Sequence, residues 1–118
     1  MARRTGPTEA TLRLLARRVN DDPRCEFCGG DAPWLEVQHR QARGLGGTRR
    51  AHINTIGNLL LLCRDCHAYA ESRNESAAYH GLWVSRWNSD PGSVPFYHHT
   101  LGWVLLTEQG GYEEASAP

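Results

Sequence analysis

Apolar and polar positions fall into two periods along the chain. Leu12, Leu15, Ala16 and Val19 recur at i, i+3, i+4 and i+7, the spacing of an amphipathic helix. Pro7 suits its first turn, with Thr5 or Thr8 as the cap. Arg13, Arg17 and Arg18 lie off that stripe and are expected on a solvated face. Asn20-Asp21-Asp22-Pro23 stops the helix. Trp34 to His39 reads as a short strand, and Leu59-Leu60-Leu61-Leu62 as a buried one. Between them, residues 40–57 form a long Gly/Arg-rich loop, of a length that usually carries function or is disordered. His67 to Arg73 is helix-compatible, and Asn74 caps a second short helix, Glu75 to His80, that ends at Gly81. Leu82 to Ser85 and Trp103 to Thr107 read as strands, with Asp90-Pro91-Gly92 as turn chemistry between them. Residues 110–118 are expected to fray. The pattern predicts a small α+β fold with an N-terminal helix and a β-containing C-terminal extension.

Composition narrows this reading. The 118 residues, 40% of them apolar, suffice for one small domain whose core is marginal without a staple. The natural divisions are 1–24 (arm and helix), 25–73 (core) and 74–118 (a helix and short strands packed on the core). Net charge is zero by cancellation. Residues 1–73 hold twelve Arg against eight acids, or plus four; residues 74–118 hold Arg86 against five acids, or minus four. The first part suits a polyanion and the second does not. Lys is absent, which fits planar phosphate contacts and equally fits a GC-rich genome. The longest apolar run, Leu59 to Cys63, cannot span a bilayer, and no signal-peptide pattern follows Arg3 and Arg4. The expectation is a cytoplasmic protein without a membrane partner.

The four cysteines come as two CxxC pairs, Cys25/Cys28 and Cys63/Cys66. In an intracellular chain this spacing points to metal rather than to disulfides. Four thiolates fit a closed, structural Zn²⁺ site with no open position for chemistry. Gly44-Leu45-Gly46-Gly47 lacks the strand-to-helix setting of a nucleotide fingerprint. His80, His98 and His99 show no ligand spacing, and Trp83, Trp87 and Trp103 read as packing for the tail.

The order CxxC, Glu36-Val37-Gln38-His39-Arg40, Gly46-Gly47 and Asn58-Leu59-Leu60-Leu61-Leu62-Cys63-Arg64-Asp65-Cys66-His67 resembles the HNH endonuclease family, in particular HNH proteins of actinobacterial phages. The resemblance covers residues 25–73. It implies a ββα-metal unit that cuts or nicks DNA with low sequence specificity, leaving 5′-phosphate and 3′-hydroxyl ends. His39 matches the general base, Asn58 the residue that pins the loop, and His67 the metal ligand after the last Cys. Glu71 lies where the family often has another ligand, four residues on and so on the same helical face. Gln38 stands where the family often has Asp or His as a ligand, and its neutral carbonyl oxygen is expected to join His67 and Glu71 as a weaker ligand of the catalytic cation. The catalytic cation is expected to be Mg²⁺ or Mn²⁺, with Ni²⁺ or Zn²⁺ as alternatives. Arg40, Arg43, Arg49 and Arg50 are expected to grip DNA phosphates. His39 and His67 are expected to face one cleft. A phage terminase is a further expected partner, in genome packaging, with gene mobility as the other role. The alternative function is a zinc-stapled DNA or terminase adaptor that has lost cleavage.

Overall fold

The computed structural model describes residues 6–20, 23–31, 34–42 and 53–118. Helix α1 (Glu9–Arg18) starts at Thr8, whose hydroxyl accepts from the Thr11 N–H. This satisfies one of the amide donors that a helix start leaves open. Its buried residues are Leu15 and Arg18, whereas Leu12 and Ala16 are exposed. The packed face is therefore rotated from the predicted stripe, and Arg18 is not on a solvated face. Asn20 ends the helix in the left-handed region, at φ 60°.

Strands β1 (Leu35–His39) and β2 (Leu59–Cys63) form an antiparallel ribbon running from the pair Leu35 and Cys63 to the pair His39 and Leu59. Helix α2 (Arg64–Glu71) follows β2 directly, with Cys63 as its cap. It begins three residues before the predicted start, because the second CxxC forms its first turn. Helix α3 (Glu75–Tyr79) is capped by the Asn74 carboxamide oxygen, which accepts from the Ala77 N–H. Gly81 follows at φ +80°, and a Cβ there would lie 2.1 Å from the Pro95 carbonyl oxygen. Only glycine fits both conditions.

The predicted strand at Leu82–Ser85 is absent. Leu82 and Val84 are buried, but their segment bonds irregularly to residues 40 and 41 through Val84 N–H to the Arg40 carbonyl and Gln41 Nε2 to the Ser85 carbonyl. A second, three-stranded antiparallel sheet joins β3 (Phe96–His98), β4 (Gly102–Leu106) and β5 (Tyr112–Glu114) in that order. The expected fraying at 110–118 thus fails over β5, where Tyr112 pairs with Leu106. One core spans the central and C-terminal segments: Leu60, Leu62, Cys66 and Ala70 pack with Ala77, Leu82, Phe96, Val104 and Leu106.

Two buried arginines tie these pieces together. Arg18 donates through Nε and Nη2 to the Glu26 carboxylate at 2.9 and 2.8 Å, and to the carbonyls of Ile56 and Leu59. Glu26 also accepts from the Leu61 N–H and the Tyr112 hydroxyl. Burial pushes the Tyr112 phenol up, and the Glu26 charge adds to this, so Tyr112 remains a donor. Arg40, expected on DNA phosphates, is 1% exposed. Its guanidinium donates to the carbonyls of Gly81, Gly57, Pro91 and Val94. Burial, with Arg18 nearby, pulls its pKa down to about 9, so it stays charged at neutral pH and carbonyl dipoles replace its water. Arg40 is a tertiary clamp with no donor face turned to a polyanion.

Removing one partner of a buried ion pair strands the other charge, at about 3–5 kcal/mol. Glu26→Gln should therefore lower unfolding free energy by that amount in urea titration, and Tyr112→Phe by about 1 kcal/mol. Equal midpoints for parent and Glu26→Gln would mean that the pair does not hold the fold.

Candidate metal centre and functional site

The first knuckle is a tight turn in which Gly29 N–H bonds the Cys25 carbonyl at 2.8 Å, with Gly29 at φ +78°. The second is the start of α2. The ribbon register carries Cys63 back beside the first knuckle, and the four sulfurs lie within 4.8 Å of one another. All four thiols are free. Cys28 and Cys63 sulfurs are 3.8 Å apart, and metal–sulfur bonds of about 2.3 Å give a tetrahedral edge of about 3.8 Å. Backbone N–H groups of Cys28, Gly30 and Cys66 point at the sulfurs of Cys25, Cys28 and Cys63, as thiolate ligands require. Burial pushes the Cys25 thiol up, but backbone donors outweigh it and hold the group below its usual value. Burial, then the Cys25 charge, pushes Cys66 well up. Four such sulfurs fit a structural metal such as zinc, which would relieve their mutual repulsion. Among the described residues this is the only group of three or more His, Cys, Asp or Glu that converges on one point.

His67 lies on α2 one residue after Cys66. Its Nδ1 meets Glu36 Oε2 from β1, and Glu71 Oε1 lies 3.0 Å from its Nε2. A carboxylate only accepts, so Nδ1–H donates to Glu36. In the neutral ring Nε2 then holds a lone pair facing a carboxylate oxygen, and two acceptors at 3.0 Å need a proton or a cation between them. Metal bonds of about 2.1 Å at a right angle place two donor atoms about 3.0 Å apart. Glu36, on the opposite ring nitrogen, stands where carboxylates orient metal-binding histidines. Glu36 was not singled out by the sequence. Its signal was strand alternation: β1 is placed against α2, and every second residue of β1 shares one face.

His39 ends β1. Its Nε2 is 2.7 Å from the Asn54 carboxamide oxygen, so Nε2 carries the proton and Nδ1 is the basic nitrogen. Asn54 is a second partner that sequence reading missed; its amide has no periodic signal. Asn58 is fully buried. Its oxygen accepts from the Gln41 N–H at 2.8 Å, and its nitrogen donates to the carbonyls of Gln41 and Ile53 at 3.1 and 2.7 Å. It thereby ties the two feet of the β1–β2 connection together. Gln38 is buried and donates to the His39 carbonyl at 3.0 Å, so its carboxamide nitrogen is turned back on its own chain. Arg43, Arg49 and Arg50 lie outside the described residues.

The expected joint cleft is not closed by contact. His39 and Glu36 leave the pleat on opposite sides, and three residues separate their Cα atoms by about 10 Å. No hydrogen bond or ion pair joins His39 to His67. Glu36, rather than His39, is the ribbon residue that reaches the helix imidazole. Comparison with known proteins gives no match to a family model, to a curated protein or to a solved structure.

A metal that holds the knuckles contributes directly to folding free energy. Chelation, or Cys66→Ser, should abolish metal binding and the near-UV dichroism of the core aromatics, among them Phe27 stacked on Tyr69 at 6.0 Å. A chelated chain that keeps this signal would contradict the staple. Asn58→Ala, which leaves buried backbone groups without partners, should cost about 2–3 kcal/mol in urea titration.

Proposed function

We propose that the chain is a metal-dependent endonuclease of the HNH type, acting on DNA. The observation that carries this reading is the donor set on the ribbon-and-helix unit: His67 Nε2 and Glu71 Oε1 stand at ligand spacing, and Glu36 orients the ring. Two protein ligands leave most of a cation's shell for water and a substrate phosphate, as is common for Mg²⁺ sites. When bound, the divalent cation supplies a Lewis acid for the phosphate and for the leaving 3′ oxygen. His39, held at Nε2 by Asn54, is the imidazole that takes a proton from water in this reading. Asn58 ties the Gln41 backbone to the Ile53 carbonyl at the His39 end of the ribbon. By the sequence resemblance alone, the work would be in phage genome packaging beside a terminase, or in gene mobility.

A second reading is a zinc-stapled adaptor for DNA or a terminase. Gln38 in place of an anionic ligand favours it. Plasmid cleavage with Mg²⁺ or Mn²⁺ separates the two. His39→Ala should lower the rate at least about a hundredfold, and Glu36→Gln should weaken Mn²⁺ binding at the His67 site about tenfold or more. Parent and His39→Ala chains that both bind DNA and are equally inert would establish the adaptor.

A further inference from the structure

An open cavity of about 590 Å³ lies between the end of α1, the first knuckle and the turn joining β3 to β4. It shares none of His39, Glu36, His67 or Glu71. Its floor is the Arg18–Glu26 pair with Tyr112, whose charges cancel. His98, 8% exposed, opens onto it. The Nδ1 of His98 accepts from the Thr100 and Leu101 N–H groups at 3.1 and 3.2 Å. That nitrogen must hold a lone pair, so the proton sits on Nε2. Burial, then His99, holds the imidazole below its usual pKa and so neutral. Rings on two sides, His99 at 4.3 Å and Tyr112 at 4.6 Å, fix its plane. No partner faces Nε2 among the described residues, and no buried side-chain nitrogen lacks one. Nε2–H is therefore a fixed donor that solvent reaches from the cavity.

The cation on the rim is Arg17, exposed on α1. Arg24, engaged in an interaction of its own, also lines the cavity. Val19 and Leu101 supply apolar wall. An acceptor group with several oxygens satisfies Arg17 and His98 together, and the apolar wall suits a sugar or base attached to it. The volume lies within the range of small-ligand sites, about 300–1,000 Å³.

The geometry points to a phosphate-binding cleft that takes one nucleotide unit, held by His98 Nε2–H and Arg17 and separate from the ribbon-and-helix site. The inference does not rest on the nuclease reading, since its readout is binding. The source of the phosphate is a free nucleotide or a nucleic-acid strand.

The test is a ¹H–¹⁵N titration of the metal-loaded full chain with inorganic phosphate, with deoxyadenosine monophosphate and with a short single-stranded oligonucleotide. Shifts should concentrate at Arg17, Thr100, Leu101 and Gly110. Arg17→Ala should weaken binding about tenfold, the loss of one charge-assisted hydrogen bond. His98→Asn keeps an acceptor for the two turn amides and removes the Nε2 donor, and should weaken it similarly. Tighter binding of the mononucleotide would identify a nucleotide site; tighter, salt-sensitive binding of the oligonucleotide would identify a strand-tracking site. Absence of shifts at these residues with all three probes overturns the proposal, as does unchanged affinity in both variants. Should His98→Asn misfold, Arg17→Ala, at an exposed helix position, decides alone.

Discussion

A two-stranded ribbon has two raw edges, and in this protein one of them is buried. Strand β2 pairs with β1 on one side only. On the other, the Leu61 amide and carbonyl and the Leu59 carbonyl would face the interior without partners. The first knuckle closes that edge. The Glu26 backbone N–H donates to Leu61, the Glu26 carboxylate accepts from it, and Arg18 donates to Leu59. A buried carboxylate and a buried guanidinium thus stand in for a third strand. Each is tolerable only because the other is there. The helix that carries Arg18, the knuckle that carries Glu26 and the strand that carries Tyr112 must all arrive for β2 to sit where it does.

That dependence explains why the cysteines and the ion pair act together. The thiol cluster fixes the knuckle against Cys63 at one end of β2, and the Arg18–Glu26 pair fixes the same knuckle along the strand's length. Arg40 does a related job at the other end of the ribbon. It gathers the carbonyls of Gly57, Gly81, Pro91 and Val94, and so joins the C-terminal extension to the ribbon. The two guanidiniums act through planar, multi-donor geometry that an ammonium lacks.

The elements with a strong local signal were legible. Thr8 and Asn74 capped their helices, the leucine run formed β2, and the CxxC spacing brought four sulfurs together. Features decided by distant partners were not. Arg18 and Arg40 looked like surface cations because nothing local shows which carbonyls will surround them. The strand predicted at Leu82–Ser85 is apolar enough to be buried, but it meets the Arg40–Gln41 backbone rather than a sheet edge. Residues 112–114 looked frayed because their anchor, Glu26, lies far away in sequence. In the candidate site, the i, i+4 spacing put His67 beside Glu71. Glu36 came from β1 and Asn54 from the segment before β2, and only the tertiary fold brings them to His67 and His39.

Asn58 has a consequence for how this chain can change over time. With one carboxamide it accepts from the Gln41 N–H and donates to the carbonyls of Gln41 and Ile53. That task takes one acceptor and two donors on a single short, planar group. Aspartate brings no donor and serine too few, so either change strands a buried backbone group. The position is therefore closed to gradual drift: its neighbours can be exchanged in small steps, but this amide has no near substitute.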